Sequence, residues 1–292
     1  MRFTLKRLVV LIVIILALFG LYVFSVLNSK PPLPVKQVEV PPSFMVHKVI
    51  GTSVEGRSIE SYTYGHGGKH IVFAGGMHGG YEWNSVLLAY QFMDYLSNNH
   101  EAVPDDITVT VIPAINPDGV YAVTGKEGRF TAADVAINQK TLVSGRFNAD
   151  NVDLNRNFDC KWQPKSIWQT TTTSAGTSAF SEPEAATIRD FILADNPVAV
   201  VFWHSQSDAV YASQCQNGIL PITLDIMNAY SKASGYPAVK VFGAYATTGA
   251  ADDWLASVNI PAVTVELKTH NTIEWDRNLA GIKALIGYFS QK

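Results

Sequence analysis

Charge is scarce in this chain, and no sign of it dominates. Only 16% of the 292 residues are charged, where about 25% is usual for a soluble domain. Lys and Arg number 22 against 25 Asp and Glu, a net charge of −3. There is no basic excess of the kind that draws nucleic acid, so a nucleic-acid partner is excluded as an expectation. Hydrophobic residues make up 47%, which excludes a chain too polar to fold. No internal repeat occurs, and nothing resembles a second domain or a separate pro-segment. Two cysteines, Cys160 and Cys215, leave two alternatives open: one disulfide in an oxidising compartment, or two buried thiols.

The missing charge is concentrated at the start. Residues 8–27, LVVLIVIILALFGLYVFSVL, carry none, and about 20 apolar helical residues span a bilayer core. Arg2, Lys6 and Arg7 precede the run. The positive-inside rule then predicts a cytoplasmic end at 1–7, a transmembrane anchor at 8–27 and an extracytoplasmic remainder held to the lipid bilayer. A cleaved signal peptide has a shorter apolar region and a small-x-small cleavage site; residues 25–28, Ser-Val-Leu-Asn, make a poor one. Residues 28–43 hold five prolines and read as a semi-rigid linker. Residues 44–292 are predicted to form one catalytic-sized domain. Without residues 1–30, which hold four basic groups and no acidic one, the chain carries 18 basic and 25 acidic groups, a net −7.

Strands are predicted at 45–50, 58–64, 70–74 and 107–115. A helix is expected at 84–96 from the spacing of Val86, Leu87, Tyr90 and Leu96. Residues 116–180 read as long polar loops. Ser181 and Glu184 suggest a capping box opening a helix to about 194. The apolar run at 198–203 predicts a strand buried on both faces. A helix near 221–234, a strand near 239–242, a short helix near 250–257, a strand at 260–266 and a helix near 274–289 follow. The alternation predicts a single α/β domain with a mixed, mostly parallel central sheet flanked by helices, preceded by one N-terminal transmembrane helix.

Chemistry-bearing residues follow the buried strands: His78 after HIVFAGGM, His204 after VAVVFW, Glu266 at the end of PAVTVE. Ligand sites in open α/β sheets collect at such strand ends. His78, Glu82 and His204 offer two imidazoles and a carboxylate, the set of a catalytic zinc site that keeps one position open. The other five histidines (His47, His66, His70, His100 and His270) read as structural. Asn116-Pro117-Asp118-Gly119 reads as a turn. In Asp153-Leu154-Asn155-Arg156-Asn157-Phe158, an Arg fork beside an amide suits a carboxylate bound bidentately.

In order, GGMHGGYE, NPDG, DLNRNF, FSEPE, His204-Ser205, Tyr245 ahead of Asp253-Trp254, and Val265-Glu266-Leu267 make the chain resemble the zinc metallocarboxypeptidases of the carboxypeptidase A/B type. The motifs span residues 73–267. The resemblance implies one Zn2+ per chain held by His78, Glu82 and His204, with Glu266 as general base. It implies Arg146 as the group that polarises the scissile carbonyl, in preference to Arg129. Asn155 and Arg156 would grip the terminal carboxylate of a peptide substrate, and Tyr245 would close over it. Asp252, seven residues beyond Tyr245, would lie at the floor of the side-chain pocket. An acid there implies a basic or diaminopimelate-type terminal residue. The family spaces its first ligand pair HxxE; here it is HxxxE, with Gly79-Gly80 expected to absorb the extra residue. A Cys160–Cys215 bond would tie the substrate loop to the metal-ligand loop. Two other functions share these residues: a zinc amidohydrolase of N-acyl amino acids, and a tethered peptide-binding module without catalysis.

Overall fold

A computed structural model of the protein describes residues 5–27 and 44–291. The chain divides into two units, Met1–Pro42 and Ser43–Lys292. In the first, the apolar run forms helix α1, Leu5–Leu27. Among the described residues, no helix is long and apolar enough to cross a membrane. The expectation of a single-pass anchor at 8–27, with the bilayer as partner and the domain on the extracytoplasmic side, is corrected on that ground. The predicted linker 28–43 lies outside the described residues, as does part of the predicted cytoplasmic end 1–7.

The second unit holds the rest in chain order: β1 Met45–Thr52, β2 Ser58–Gly65, β3 Lys69–Ala74, α2 Trp83–Asn98, β4 Ile107–Ile112, α3 Pro117–Thr124, α4 Gln139–Ser144, β5 Lys165–Trp168, β6 Thr171–Ser174, α5 Pro183–Asp195, β7 Ala199–Ser205, β8 Ala209–Ala212, α6 Pro221–Ser234, β9 Ala238–Val239, α7 Ala251–Ser257, β10 Ala262–Leu267 and α8 Trp275–Ser290. Eight strands form one sheet in the order β1-β2-β4-β3-β7-β10-β8-β9. The inner pairs β4/β3, β3/β7 and β7/β10 are parallel, while β1/β2, β2/β4 and β8/β10 are antiparallel.

The inner strands are apolar because both of their faces are covered. Alternation sorts their side chains between two cores. Ile71, Phe73, Val201, Trp203, Val263 and Val265 face a core completed by α2, α6 and α8. Val72, Ala74, Val200, Phe202 and Ala262 face the other, completed by α5, α7, Leu154 and Phe158. Phe73 is fully buried, and its truncation to Ala is expected to remove about 3–5 kcal/mol. The same alternation decides where the chemistry goes. Counting in twos from Val200 and Phe202 places His204 on the second face, and from Ala262 it places Thr264 and Glu266 there.

Three local expectations change. NPDG folds into the cap and first turn of α3: Asn116 Oδ1 accepts from Gly119 N at 2.8 Å. Buried Asp118 accepts from Ser53 Oγ at 2.6 Å and Arg57 Nη1 at 2.7 Å, which makes it a structural anchor. The capping box at α5 does not form. Glu182 is the cap residue, and Ser181 Oγ donates to its carboxylate at 2.7 Å. Glu184 instead accepts from Val54 N at 3.1 Å and Asn148 Nδ2 at 3.2 Å. The loop region 116–180 also contains α3, α4 and the hairpin β5/β6.

Candidate metal centre and substrate cavity

The connection after β3 builds the first part of the site. His78 is followed by a 3-10 turn, Gly79–Glu82, in which Tyr81 N and Glu82 N both donate to the His78 carbonyl at 3.1 and 3.4 Å. Gly79 opens the turn at φ 44°, and a Cβ there would lie 2.6 Å from the Gly145 carbonyl oxygen. Glycine is needed for both reasons. The turn curls Glu82 back over His78, so the HxxxE spacing still brings the two side chains together. His204 Nδ1 arrives from β7, 3.2 Å from His78 Nδ1 and 2.9 Å from Glu82 Oε2; His78 Nδ1 is 2.7 Å from Glu82 Oε1. All three residues are buried.

Two imidazole nitrogens face each other here without an acceptor of their own beyond one carboxylate. Ligand atoms about 2.0–2.1 Å from one tetrahedral ion stand about 3.3 Å apart. The three side chains therefore fit a zinc ion, and they form a group able to hold a metal. Burial disfavours the Glu82 charge, yet the two imidazoles outweigh it and hold the carboxyl well below its usual range. Behind His78, its Nε2 lies 3.2 Å from Asp153 Oδ1, outside hydrogen-bond geometry. A carboxylate behind a ligand histidine orients the ring.

Glu266 stands opposite His204 in the parallel β7/β10 ladder. Its Oε2 is buried and has no hydrogen-bond partner among the described residues. Burial, followed by repulsion from Glu82, pushes its pKa up to about 8. Arg146 comes from the corner after α4. Its Nε and Nη2 donate to Asp153 Oδ2 at 3.1 and 2.8 Å, and its Nη1 lies 3.6 Å from Glu82 Oε1. Burial opposes ionisation of Asp153, but Arg146 and then Arg156 and His78 hold its carboxyl well below the ordinary range. Arg129 is elsewhere: its fork pairs with Asp94 at 2.7 and 3.0 Å, half exposed.

A cavity of about 300 Å³ opens beside the metal group and is lined by Arg146, Asn155, Arg156, Tyr245, Asp252 and Glu266 among others. Arg156 is buried. Among the described residues its guanidinium donates to main-chain carbonyls alone, those of Asn155 at 2.6 Å and Ile167 at 3.2 Å. Among the described residues, no carboxylate makes an ion pair with it. The Asn155 Oδ1 accepts from Ala251 N at 2.9 Å, at the start of α7. In the first turn of α7, Asp252 Oδ2 accepts from Thr264 Oγ1 at 2.9 Å, and Asp253 Oδ1 accepts from Gln214 N at 2.9 Å. Tyr245 sits in the loop before α7 with its ring 4.9 Å from Phe242.

Cys160 and Cys215 are joined in a disulfide. The loop that follows Arg156 is also bonded to Gly249: Phe158 N donates to the Gly249 carbonyl at 3.0 Å, and Gly249 N donates to the Cys160 carbonyl at 2.8 Å. Gly249 has φ 70°, and a Cβ would come within 2.1 Å of the Arg156 carbonyl oxygen.

Two features of the site escape a sequence reading. Asp153 is visible within DLNRNF, but only the fold shows that it stands behind His78. His270, assigned a structural role from sequence, lines the cavity, as do Tyr81 and Trp168. Its place four residues after Glu266, just past the end of β10, is the signal that could have found it.

The model of one protein family, described as zinc carboxypeptidase, matches residues 36–275. The γ-D-glutamyl-L-diamino acid endopeptidase 1 of Lysinibacillus sphaericus is 25% identical over 253 residues, covering 80% of this chain and 63% of that protein. The chain thus spans less than two thirds of that relative. In fold, it is similar to carboxypeptidase A from Helicoverpa armigera, with TM-score 0.61 and 22% identity over 84% of this chain and 69% of the other. It is also similar to the murein-tripeptide amidase of Escherichia coli, with TM-score 0.58 and 20% identity over 87% of this chain and 96% of the other.

Proposed function

The chain belongs to the zinc carboxypeptidase family, and from that premise we propose that this metallopeptidase releases the C-terminal residue of peptides, preferring a terminal residue with a basic or amine-bearing side chain. The observation that carries the proposal is Arg156: a buried guanidinium without a carboxylate partner among the described residues, lining the same cavity as His78, Glu82, His204 and Glu266. A free C-terminal carboxylate is the complement it lacks, and Arg binds one bidentately. An internal peptide bond offers no such group.

His78, Glu82 and His204 would hold the zinc ion, which would supply Lewis acidity and bring a water pKa to about 7. In its ionised form, Glu266 takes a water proton on Oε2 and returns it to the leaving amine. Arg146, fixed by Asp153, directs its remaining N–H at the scissile carbonyl oxygen, where negative charge develops. Asn155 and Arg156 hold the chain end, and Tyr245 covers it. Asp252 supports the side-chain preference, with Asp253 beside it. An acid-lined end suits Lys, Arg or a diamino acid. The diamino acid named for the Lysinibacillus relative and the murein tripeptide named for the Escherichia coli enzyme agree with that class.

The test is a C-terminal specificity profile of the zinc-loaded chain. Release of Lys, Arg and diaminopimelate at least about tenfold faster than Phe or Leu is expected, each 1.4 kcal/mol of selectivity giving a factor of ten. Equal cleavage of amidated and free-acid peptides would count against the Arg156 assignment, and an apolar preference against Asp252.

A further inference from the structure

A chain of hydrogen bonds fixes one face of the cavity. Asn84, fully buried at the start of α2, donates through Nδ2 to the carbonyls of Thr269 at 2.6 Å and Thr272 at 2.9 Å. Those two contacts set its amide orientation, so Oδ1 is the acceptor. It takes the hydroxyl proton of Ser205 at 3.0 Å. Ser205 Oγ, with its proton committed, can only accept from His270 Nδ1 at 2.7 Å. The imidazole is thereby held as the Nδ1–H tautomer, and Nε2 carries a lone pair. Burial keeps His270 below its ordinary pKa range, which favours this neutral form.

His270 lines the cavity, and Nε2 makes no hydrogen bond among the described residues. The ring packs edge-on to Tyr81 at 4.8 Å, and Tyr81 meets Trp168 at 5.2 Å. Asp252 is bonded to Thr264, two residues before Glu266 on β10, whereas His270 lies four residues beyond Glu266 and is bonded to Ser205 at the end of β7. His270 thus belongs to the end of the cavity away from the acids of α7. If Arg156 and Asp252 hold the departing residue, the wall of Tyr81, Trp168 and His270 faces the residue before it.

On that reading of the site, we infer that His270 Nε2 accepts a hydrogen bond from the backbone N–H of the residue on the amino side of the scissile bond. Arg146, Asn155 and Arg156 supply donors to the cavity, Glu82 and Glu266 serve the metal and the proton, Asp252 and Asp253 lie at the α7 end, and His270 packs on Tyr81 beside the metal group. A neutral acceptor is what an amide N–H requires, and Asn84 and Ser205 are positioning residues that keep it one. A packing role alone would not need a fixed tautomer.

Benzoyl-glycyl-lysine and benzoyl-sarcosyl-lysine differ by the methyl that replaces this N–H. With the zinc-loaded full chain, N-methylation should lower kcat/KM about tenfold, mostly through KM, as loss of one hydrogen bond does. His270→Ala should lose a similar factor on the glycyl peptide and show an N-methyl penalty within about twofold, the signature of a shared interaction. His270→Gln keeps an acceptor and guards against a folding defect; it should recover part of the discrimination. An equal N-methyl penalty in wild type and both variants overturns the assignment while leaving the peptidase reading intact. Failure of wild type to cleave either peptide, or any basic C-terminal peptide, overturns both. Nitrogen-15 NMR of histidine-labelled protein gives a readout independent of turnover: His270 Nε2 should resonate as a bare nitrogen near neutral pH and shift in Ser205→Ala. A protonated Nε2 in the wild type refutes the inference.

Discussion

Glu266→Gln keeps the size and the ladder position of the residue but removes the base. The variant should retain zinc, measured by metal analysis, while kcat falls by about 10²–10⁴, the usual contribution of a general base; a nearly unchanged kcat would exclude Glu266 from that role. Arg156→Ala should raise KM for free-acid peptides and leave any slow hydrolysis of amidated ones unaffected, as comparison of matched pairs would show. Asp253 is pushed up to about 7, first by burial and then by Asp252. An acid with a folded pKa above its unfolded value, about 3.9, stabilises the fold in full below that value and loses the contribution as pH rises through about 7. Asp253→Asn should therefore gain stability relative to wild type at pH 8, with the difference shrinking toward pH 5 in denaturant melts. His78, His204 and Glu266 were legible because each stands at or just past the end of a buried strand, and Glu82 because of its spacing to His78. Asp153 and His270 were not, because their importance lies in what they touch: a ligand ring across a loop in one case, and a hydroxyl 65 positions away in the other.

Among elements, the turn after β3 is the most exacting. Gly79→Ala meets both a positive φ and the Gly145 oxygen, and strained backbone of this kind costs about 1–3 kcal/mol. Lower thermal stability and weaker zinc retention should appear together; normal zinc affinity would mean that the turn tolerates a side chain without moving Glu82. The inner strands announced themselves through long β-branched runs, and α2 through its periodicity. The hairpin β5/β6 did not, since SIW and TTT carry too little apolar area to stand out from loop. Likewise β8 is only four residues long, Ala209–Ala212, and acquires its identity by pairing with β10. The apparent capping box before α5 failed for a tertiary reason: Glu184 is drawn to Val54 and Asn148, away from its own helix start.

For the molecule as a whole, the sheet order could be guessed only as a class. Alternating strands and helices signal α/β, but which strand lies beside which depends on long-range pairing that no local pattern encodes. The disulfide closes a loop across a sequence separation of 55, for which the chain-entropy model gives about 4 kcal/mol. A Cys160→Ser, Cys215→Ser double variant should lose stability of that order in denaturant melts, and reduction of the wild type should reproduce it; an unchanged midpoint would show that the hydrogen bonds around Gly249 suffice. Those same ties have a consequence for redesign. The 155–160 segment and the opening of α7 are stitched together by Asn155, Gly249 and the Cys160 carbonyl, so they are not interchangeable modules. Grafting a foreign α7 to alter side-chain preference would drag the neighbouring loop out of register, and a successful transplant must carry both segments as one cassette.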